Sequence, residues 1–287
     1  MIEALRIEQW VKNGFLLAPL ALTPELWTPG NWKRVLGAFL AFSLAAGAMY
    51  LWNDWCDLEA DREHPKKSRR ALASGRLQPG TALGVAALLV AVSGLLGAQL
   101  GKQFFLILVF YIALQLAYSL LLKRLVILDV MAIAAGFVLR VLGGGYAVGI
   151  PLSSWFLITS SFLALFLGFT KRRQEIRQLG DASVRHRTVL AEYNINFIDQ
   201  MNSVLAGGCI VCYALFTVAP ETVEKFGTQA LVATLPFVVY GVLRYLHLVH
   251  VRGEGDNPTE VLWRDRPIQI SIVLWLVVFL LIVRGKP

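Results

Sequence analysis

Residues 50–77 read YLWNDWCDLEADREHPKKSRRALASGRL, and they carry the strongest functional signal in the chain. An apolar run ends here in four side chains that offer oxygen ligands, namely Asn53, Asp54, Asp57 and Asp61. On a continuous α-helix all four lie within an arc of about 100°. Carboxylates held this close repel one another unless a cation lies among them. Magnesium takes hard oxygen ligands from carboxylates and from a substrate phosphate, so the pattern predicts a Mg2+ site.

Basic side chains follow directly after the four acceptors. They are His64, Lys66, Lys67, Arg69, Arg70 and Arg76. This order suits a magnesium-bridged diphosphate, with metal ligands on a helix and cations for the outer phosphate oxygens. A merely solvated helix end that keeps positive charge in the cytoplasm would explain the basic run, but not the four aligned acceptors.

The composition is that of a membrane protein. Apolar residues make up 56% of the 287 residues and charged residues 16%, whereas soluble domains carry about 25% charged residues. Runs of about 20 apolar residues fill most of the chain. They predict an all-α integral membrane protein, one membrane domain over 1–287 with nine transmembrane helices near 13–28, 32–53, 80–100, 103–122, 126–148, 152–170, 202–219, 229–250 and 268–284.

Lysine and arginine are concentrated at the N-terminus and in every second link between these spans. Positive charge stays cytoplasmic, which predicts a cytoplasmic N-terminus and three long cytoplasmic active-site loops at 54–79, 171–201 and 251–267. The net charge of +8 is therefore a topology signal. We expect no nucleic-acid partner. Membrane lipid surrounds the chain, and a homo-oligomer is left open.

The acidic segment resembles the first signature of the UbiA superfamily of intramembrane prenyltransferases. The resemblance rests on Asn53-Asp54-x-x-Asp57-x-x-x-Asp61, on the following His64-Pro65 and on the Ala73-Ser74-Gly75 turn. It implies a bundle of nine helices in which two acidic motifs hold Mg2+ and a polyprenyl diphosphate. Ala71 departs from the pattern, since relatives often have proline after the arginine.

The 171–201 segment lacks the second Asp-x-x-x-Asp of ordinary family members. Asp181 and Asp199 are isolated, and cations surround a single Glu175 in the run KRRQEIR. Such a segment suits a bare phosphate better than a second metal-bound diphosphate. A merely positive cytoplasmic loop is the alternative.

Three further stretches resemble a side branch of the superfamily, the decaprenyl-phosphate phosphoribosyltransferases. They are RIEQWVKNGFLLAPL (6–20), the KRRxE run with Arg187 and Tyr193 beyond it, and RYLHLVHVRGEGDNPTEVLWRDRP (244–267). The resemblance implies transfer of 5-phosphoribosyl from phosphoribosyl diphosphate (PRPP) to a polyprenyl phosphate at the cytoplasmic membrane, for cell-envelope polysaccharide synthesis. The alternative is transfer of a polyprenyl group to an aromatic acceptor.

The predicted catalytic residues are Asp54, Asp57 and Asp61, and with Asn53 they are the predicted metal ligands. Arg140 lies deep in an apolar run, where an arginine usually faces the protein interior. It is predicted to border a substrate pocket, with a structural charge pair as the alternative. The full set of predicted substrate contacts is Lys12, Asn13, Asn53, Lys67, Arg70, Lys123, Arg140, Lys171, Arg172, Arg173, Glu175, Arg187, Tyr193, Arg244 and Asp265.

A transporter or lipid-phosphate carrier is a rival from another class. Such proteins often contain repeated halves with helices broken at matching positions, and the sequence shows no such repeat.

Overall fold

The computed structural model describes residues 2–63, 67–179, 188–252, 261 and 264–285, and within these residues the regular structure is helical, without strands. The α-helices are α1 (Ile2–Leu5), α2 (Ala18–Ala21), α3 (Pro29–Cys56), α4 (Leu58–Glu63), α5 (Pro79–Leu100), α6 (Lys102–Leu120), α7 (Leu128–Val148), α8 (Ser154–Leu179), α9 (Ile195–Val218), α10 (Pro220–Phe226), α11 (Leu235–His247) and α12 (Arg266–Arg284). A π-helical turn, Leu248–Arg252, continues α11.

Eight helices in the described part of the chain are long and apolar enough to cross a membrane. They are α3, α5, α6, α7, α8, α9, α12 and the segment Ala230–Val251, which contains α11. Each lies where an apolar run predicted a span. The prediction of an all-α, multi-pass membrane protein is therefore confirmed, whereas the count of nine is not.

The predicted first span, 13–28, does not form one long helix. Residues Ile7–Leu17 form a 3-10 helix, a single α-helical turn follows at Ala18–Ala21, and another 3-10 turn lies at Pro24–Leu26. Pro19 and Pro24 lack the amide hydrogens that a continuous helix would need. We call Ile7–Leu17 the N-terminal 3-10 helix. Its length is unusual, because such runs seldom exceed three or four residues.

Helix α8 is longer than the predicted span of 152–170. It continues to Leu179, so the first part of the predicted 171–201 loop is helical. Glu175 accepts a hydrogen bond from Arg172 at 2.5 Å and lies 4.0 Å from Lys171. Pairs at these spacings stabilise a helix beyond the apolar run.

One compact unit comprises Met1–Ala132 and Gly136–Pro151. Its centre contains the rings of Phe42, Phe104 and Tyr111, all without solvent exposure. The Phe42 ring lies 5.8 Å from that of Phe104 and 5.0 Å from that of Tyr111. Helix α5 approaches α3 closely at two small residues, where the Ser93 hydroxyl of α5 donates to the Ala41 carbonyl of α3 at 2.8 Å.

A second compact unit comprises Ile133–Ala135 and Leu152–Pro287. Helices α8 and α9 pack closely, because Gly208 leaves room for the Phe162 ring where a Cβ would lie 2.4 Å from it. Elsewhere Trp275 donates to the Tyr213 hydroxyl at 2.6 Å, and that hydroxyl also bonds to Thr234. The organisation of 1–287 as one membrane domain stays a prediction.

Arg34, near the start of α3, caps the C-terminal ends of two other helices in the first unit. Its Nε donates to the carbonyl of Ala147 at 2.7 Å, and its Nη2 donates to that of Leu100 at 3.0 Å. These carbonyls lie in the last turns of α7 and α5, where helices leave carbonyls unpaired and favour positive charge.

We expect Arg34→Gln to destabilise the protein by about 1 kcal/mol, because two carbonyls at helix ends lose a charged donor. Thermal unfolding in detergent would measure the loss. Lys33→Gln is the matched control, since Lys33 is exposed and adjacent. Equal midpoints for the two variants would contradict the capping role.

Candidate active site

The acidic segment does not lie on one continuous helix. α3 ends at Cys56, Asp57 adopts φ −99° and ψ 10°, and α4 begins at Leu58. Helical spacing of the backbone bonds persists across the break, because the Asp57 amide donates to the Asn53 carbonyl at 3.0 Å and the Asp61 amide to the Asp57 carbonyl at 2.8 Å. The acidic side chains therefore stay near one another but divide into two groups.

Asp54 and Asp61 form the first group, and both side chains are almost fully buried. A single nitrogen, Nη1 of Arg70, donates to Asp54 Oδ1 at 3.1 Å and to Asp61 Oδ2 at 2.6 Å. Lys67 lies 4.0 Å from the other Asp61 oxygen. Buried carboxylates need such compensation, and here two of them converge on one cationic atom.

Arg6 is a functional candidate that the sequence did not reveal. Its Nη2 donates to Asp54 Oδ1 at 2.5 Å, and its guanidinium lies 4.9 Å from the centre of the Tyr50 ring. Arg6 adopts φ 49° and ψ 56°, a left-handed conformation that costs an L-residue energy. Arg6 precedes Asp54 by 48 residues, so no local pattern could pair them.

Asp57 forms the second group, with partners of its own. The Lys123 ammonium donates to Asp57 Oδ1 at 2.5 Å, and the Asn53 amide donates to Oδ2 at 3.2 Å. Lys123 is one of the basic residues that the sequence predicted as substrate contacts. The structure thus places Asn53 and Lys123 each in direct contact with Asp57.

An exposed ion pair joins the N-terminus to the segment after the acidic residues. Arg76 donates to both carboxylate oxygens of Glu3, at 2.8 and 3.2 Å. This hydrogen-bonded guanidinium lowers the pKa of Glu3 from its usual value. The pair lies outside the apolar spans and tethers α1 to the basic run.

The carboxylate pair meets part of the chemical requirement for a metal. Its oxygens are the ligands that Mg2+ prefers, and they already surround one positively charged atom. Within the described residues, however, no group of three or more His, Cys, Asp or Glu side chains is arranged to hold a metal ion. Asp54 and Asp61 therefore fit a shared cation best, and the four-residue ligand set stays a prediction.

Asn13 and Arg140, both predicted substrate contacts, lie in contact with each other in the buried part of the first unit. Arg140 Nε donates to Asn13 Oδ1 at 2.6 Å, Nη1 to the Gly136 carbonyl at 2.7 Å and Nη2 to the Tyr111 hydroxyl at 2.9 Å. The structure shows neutral partners for Arg140 rather than the alternative carboxylate pair. Lys12 lies beside Asn13 on the N-terminal 3-10 helix.

In the second unit, Arg173 is held by protein groups. It donates to Asp199 Oδ1 at 2.5 Å and Oδ2 at 3.2 Å, and to the Val249 carbonyl at 3.2 Å. His250 lies 3.2 Å from the same carboxylate and 3.0 Å from the Leu246 carbonyl. Asp199 therefore bonds to Arg173 and His250, which are basic partners, rather than lying beside a second carboxyl group in the described residues.

The other predicted substrate contacts of the second unit differ in their burial and in their bonding partners. Arg172 is 1% exposed and bonds to Glu175, whereas Lys171 is partly exposed. Arg244 donates to Asp265 at 2.8 and 3.3 Å, and Asp265 also caps α12 by accepting from the Ile268 amide. Tyr193 is buried against Phe169 and Phe197. Arg187 lies outside the described residues.

We expect Arg70→Gln to increase the affinity of the ligand-free protein for Mg2+, because Asp54 and Asp61 lose the nitrogen they share. The measurement is the rise in unfolding temperature on addition of MgCl2 in detergent. Arg69→Gln is the control, since Arg69 is the exposed neighbour. A similar Mg2+ response in both variants would count against a cation site between the two carboxylates.

Comparison with known proteins places this site in a family. The model of the UbiA prenyltransferase family matches residues 15–263. A decaprenyl-phosphate phosphoribosyltransferase from Corynebacterium glutamicum is 36% identical over 282 residues, which cover 96% of this chain and 84% of that protein. A protein of the same name from Mycolicibacterium smegmatis is 33% identical over 287 residues, covering 96% of this chain and 90% of its own.

The fold has a counterpart among solved structures. A UbiA homolog from Archaeoglobus fulgidus, bound to GPP and Mg2+, superposes with a TM-score of 0.75 over 99% of each chain, at 17% identity. At that identity the likeness shows the fold. The resemblance inferred from the acidic segment is confirmed, and the relatives bear the name of the branch that the sequence indicated. The chain is a multi-pass membrane protein that belongs to the UbiA prenyltransferase family.

Proposed function

We propose that this protein transfers the 5-phosphoribosyl group of PRPP to a polyprenyl phosphate of the decaprenyl type and releases diphosphate. The relatives that cover nearly all of the chain are named for this class of reaction. The observation that supports this proposal most directly is a difference between the 50–77 segment and the 171–201 segment. Asp54 and Asp61 converge on a single cation, whereas Asp199 in the second segment is paired with Arg173 and His250.

This difference between the two segments matches the chemistry of the proposed donor, PRPP. PRPP carries one diphosphate and one simple phosphate ester, so it requires one metal-bearing acidic site and a separate set of cations. A prenyl diphosphate held between two acidic motifs would instead need a second cluster of carboxylates. Asp199 does not supply one within the described residues, because its oxygens accept from a guanidinium and an imidazole.

Asp54 and Asp61 are the proposed principal ligands of Mg2+, with Asn53 and Asp57 completing the predicted set. Bound there, Mg2+ would neutralise charge on the diphosphate as its bond to ribose breaks. Arg70 is partly exposed and already lies between the two carboxylates. It can exchange a carboxylate oxygen for a phosphate oxygen with little movement, since guanidinium binds both groups in the same geometry.

The remaining cations of the first unit complete the diphosphate site in this proposal. Arg6 contacts Asp54, Lys67 approaches Asp61, and Lys123 contacts Asp57. Each therefore lies beside a proposed ligand and can bind a phosphate oxygen. These cations also offset the negative charge that gathers as diphosphate departs.

For the second segment, binding of the PRPP 5-phosphate stays the proposal for Lys171, Arg172, Arg187 and Tyr193. Arg173 holds this segment through its pair with Asp199, and Glu175 pairs with Arg172 within α8, whereas the Arg244–Asp265 pair lies in the 244–267 stretch. The acceptor phosphate is an anion at neutral pH, so its oxygen attacks the anomeric carbon without a general base. We place this chemistry at the cytoplasmic face of the inner membrane, with a cytoplasmic N-terminus, in cell-envelope polysaccharide synthesis.

The decisive experiment supplies purified protein with radiolabelled PRPP, MgCl2 and decaprenyl phosphate, and counts label in the organic phase. Label should move to the lipid and should require a divalent cation. A parallel reaction supplies a prenyl diphosphate and 4-hydroxybenzoate. Prenylated product in that reaction, with no lipid label in the first, would establish the alternative prenyltransferase activity instead.

We expect Asp61→Asn and Asp57→Asn each to lower turnover by about a hundredfold or more, because each removes charge beside the leaving diphosphate. Glu59→Gln is the matched control, since Glu59 is exposed on the same short helix. Size-exclusion profiles in detergent verify folding. Near-normal activity in either aspartate variant would remove that residue from the proposed site.

A further inference from the structure

The N-terminal 3-10 helix connects the acidic site to the buried part of the first unit. Arg6 immediately precedes it and bonds to Asp54, and Leu16 near its other end is fully buried. At about 2.0 Å per residue, its eleven residues span about 22 Å. Any displacement at the buried end would therefore be carried to Arg6 by a short and regular segment.

Helix α7 packs directly against the backbone at the buried end of this segment. A Cβ on Gly144 would lie 2.1 Å from the carbonyl oxygen of Leu16, which no side chain can occupy without moving the backbone. A Cβ on Gly143 would lie 2.9 Å from the Phe42 ring. The glycines at 143 and 144 thus serve close packing, and the position of the N-terminal 3-10 helix depends on that contact.

Polar bonds hold the same segment from the same helix. Arg140 is 5% exposed and donates to Asn13, whose amide donates to the Ser43 hydroxyl at 2.9 Å. Arg140 also lies 4.8 Å from the centre of the Tyr111 ring and 5.5 Å from that of Phe137. All its hydrogen-bond acceptors in the described structure are neutral. Burying a guanidinium costs free energy even when all its hydrogen bonds are made. The bond to Asn13 fixes the distance and orientation of that side chain relative to Arg140.

Arg140 is also far along α7 from the end that begins beside Lys123. It follows Leu128 by twelve residues, about 18 Å of helix. Its Nε donates to Asn13 of the N-terminal 3-10 helix, and its other two donor nitrogens are engaged by the Gly136 carbonyl and the Tyr111 hydroxyl. A direct contact with the diphosphate would require it to abandon these partners.

We propose that Arg140 and Gly144 of α7 are positioning residues that place Arg6 against Asp54 by fixing the N-terminal 3-10 helix. This inference rests on the proposed function, in which Arg6 binds the diphosphate of PRPP. It assigns Arg140 an effect on catalysis exerted through Arg6. The left-handed backbone at Arg6 is held because both ends of the segment are anchored.

The first test compares two alanine substitutions. Gly144→Ala forces the 3-10 helix away from α7, whereas a Cβ on Gly14, within the segment itself, meets nothing within 4 Å. We expect Gly144→Ala to raise the KM for PRPP by about tenfold or more through misplacement of Arg6, with a smaller effect on kcat. Gly14→Ala should behave as the unaltered protein. Equal KM values in the two variants would overturn the proposal.

The second test is a double-mutant cycle between Arg140→Gln and Arg6→Gln. If Arg140 acts through Arg6, each single change raises the KM for PRPP and the double variant matches Arg6→Gln alone. Multiplying effects would mean that Arg140 contacts substrate independently, and would overturn the proposal. Arg34→Gln, which also removes an arginine bonded to α7, should lower stability without changing KM.

Two direct readouts separate this proposal from the proposed function. Calorimetric titration of the unaltered protein with PRPP and MgCl2 tests the function, because absence of binding there contradicts PRPP as the ligand. Hydrogen exchange of the 7–17 amides tests the positioning role without turnover. It should accelerate in Asn13→Ala, the milder variant, and stay unchanged in Lys33→Gln. Unchanged exchange in Asn13→Ala would contradict anchoring by Arg140 and Asn13.

Discussion

Two buried carboxylates that share one guanidinium nitrogen organise the candidate site. Asp54 and Asp61 lie on either side of the helix break at Asp57, and Arg70 bonds to both. Breaking a buried ion pair by removing one partner typically costs about 3–5 kcal/mol, so the protein must bring a cation to this point whenever no ligand supplies one. Packing does so, because Ala71 and Leu72, which follow Arg70, are buried in the apolar cluster that includes Leu51 and Ala82.

The arrangement suits the proposed function, which requires one site to be stable both with and without substrate. The same carboxylates that would bind a metal ion are neutralised by Arg6, Arg70 and Lys123 when none is bound. In the proposed function, each of these cations would turn to a phosphate oxygen when the metal and diphosphate bind together. The metal ion would then replace these cations as the partner of the carboxylates, and the carboxylates would not have to move. This limits the reorganisation that catalysis would otherwise require.

Sequence reasoning succeeded where a signal is periodic and local. The eight long apolar helices follow from apolar runs of membrane-spanning length, and the closeness of Asp54 and Asp61 follows from helical spacing that persists across the break at Asp57. It failed where a distant residue decides the outcome. Asp57 turns to Lys123, 66 residues away, and the expected helix over 13–28 gives way to a 3-10 helix packed against Gly144. Arg6 contributed to the topology signal and to the 6–20 resemblance but was not predicted as a site residue, because nothing near it in sequence indicates Asp54.

The N-terminal 3-10 helix gives a physical reason for placing a buried arginine at position 140. A cation on a segment that could move freely would lose considerable conformational entropy each time it bound a diphosphate. Anchoring the segment at Asn13 and Leu16 removes much of that freedom during folding, so less is lost during binding. The burial of Arg140 among neutral acceptors and the strained backbone of Arg6 are the energetic costs of this preorganisation. In the proposed function these costs are offset because Arg6 meets the diphosphate already oriented.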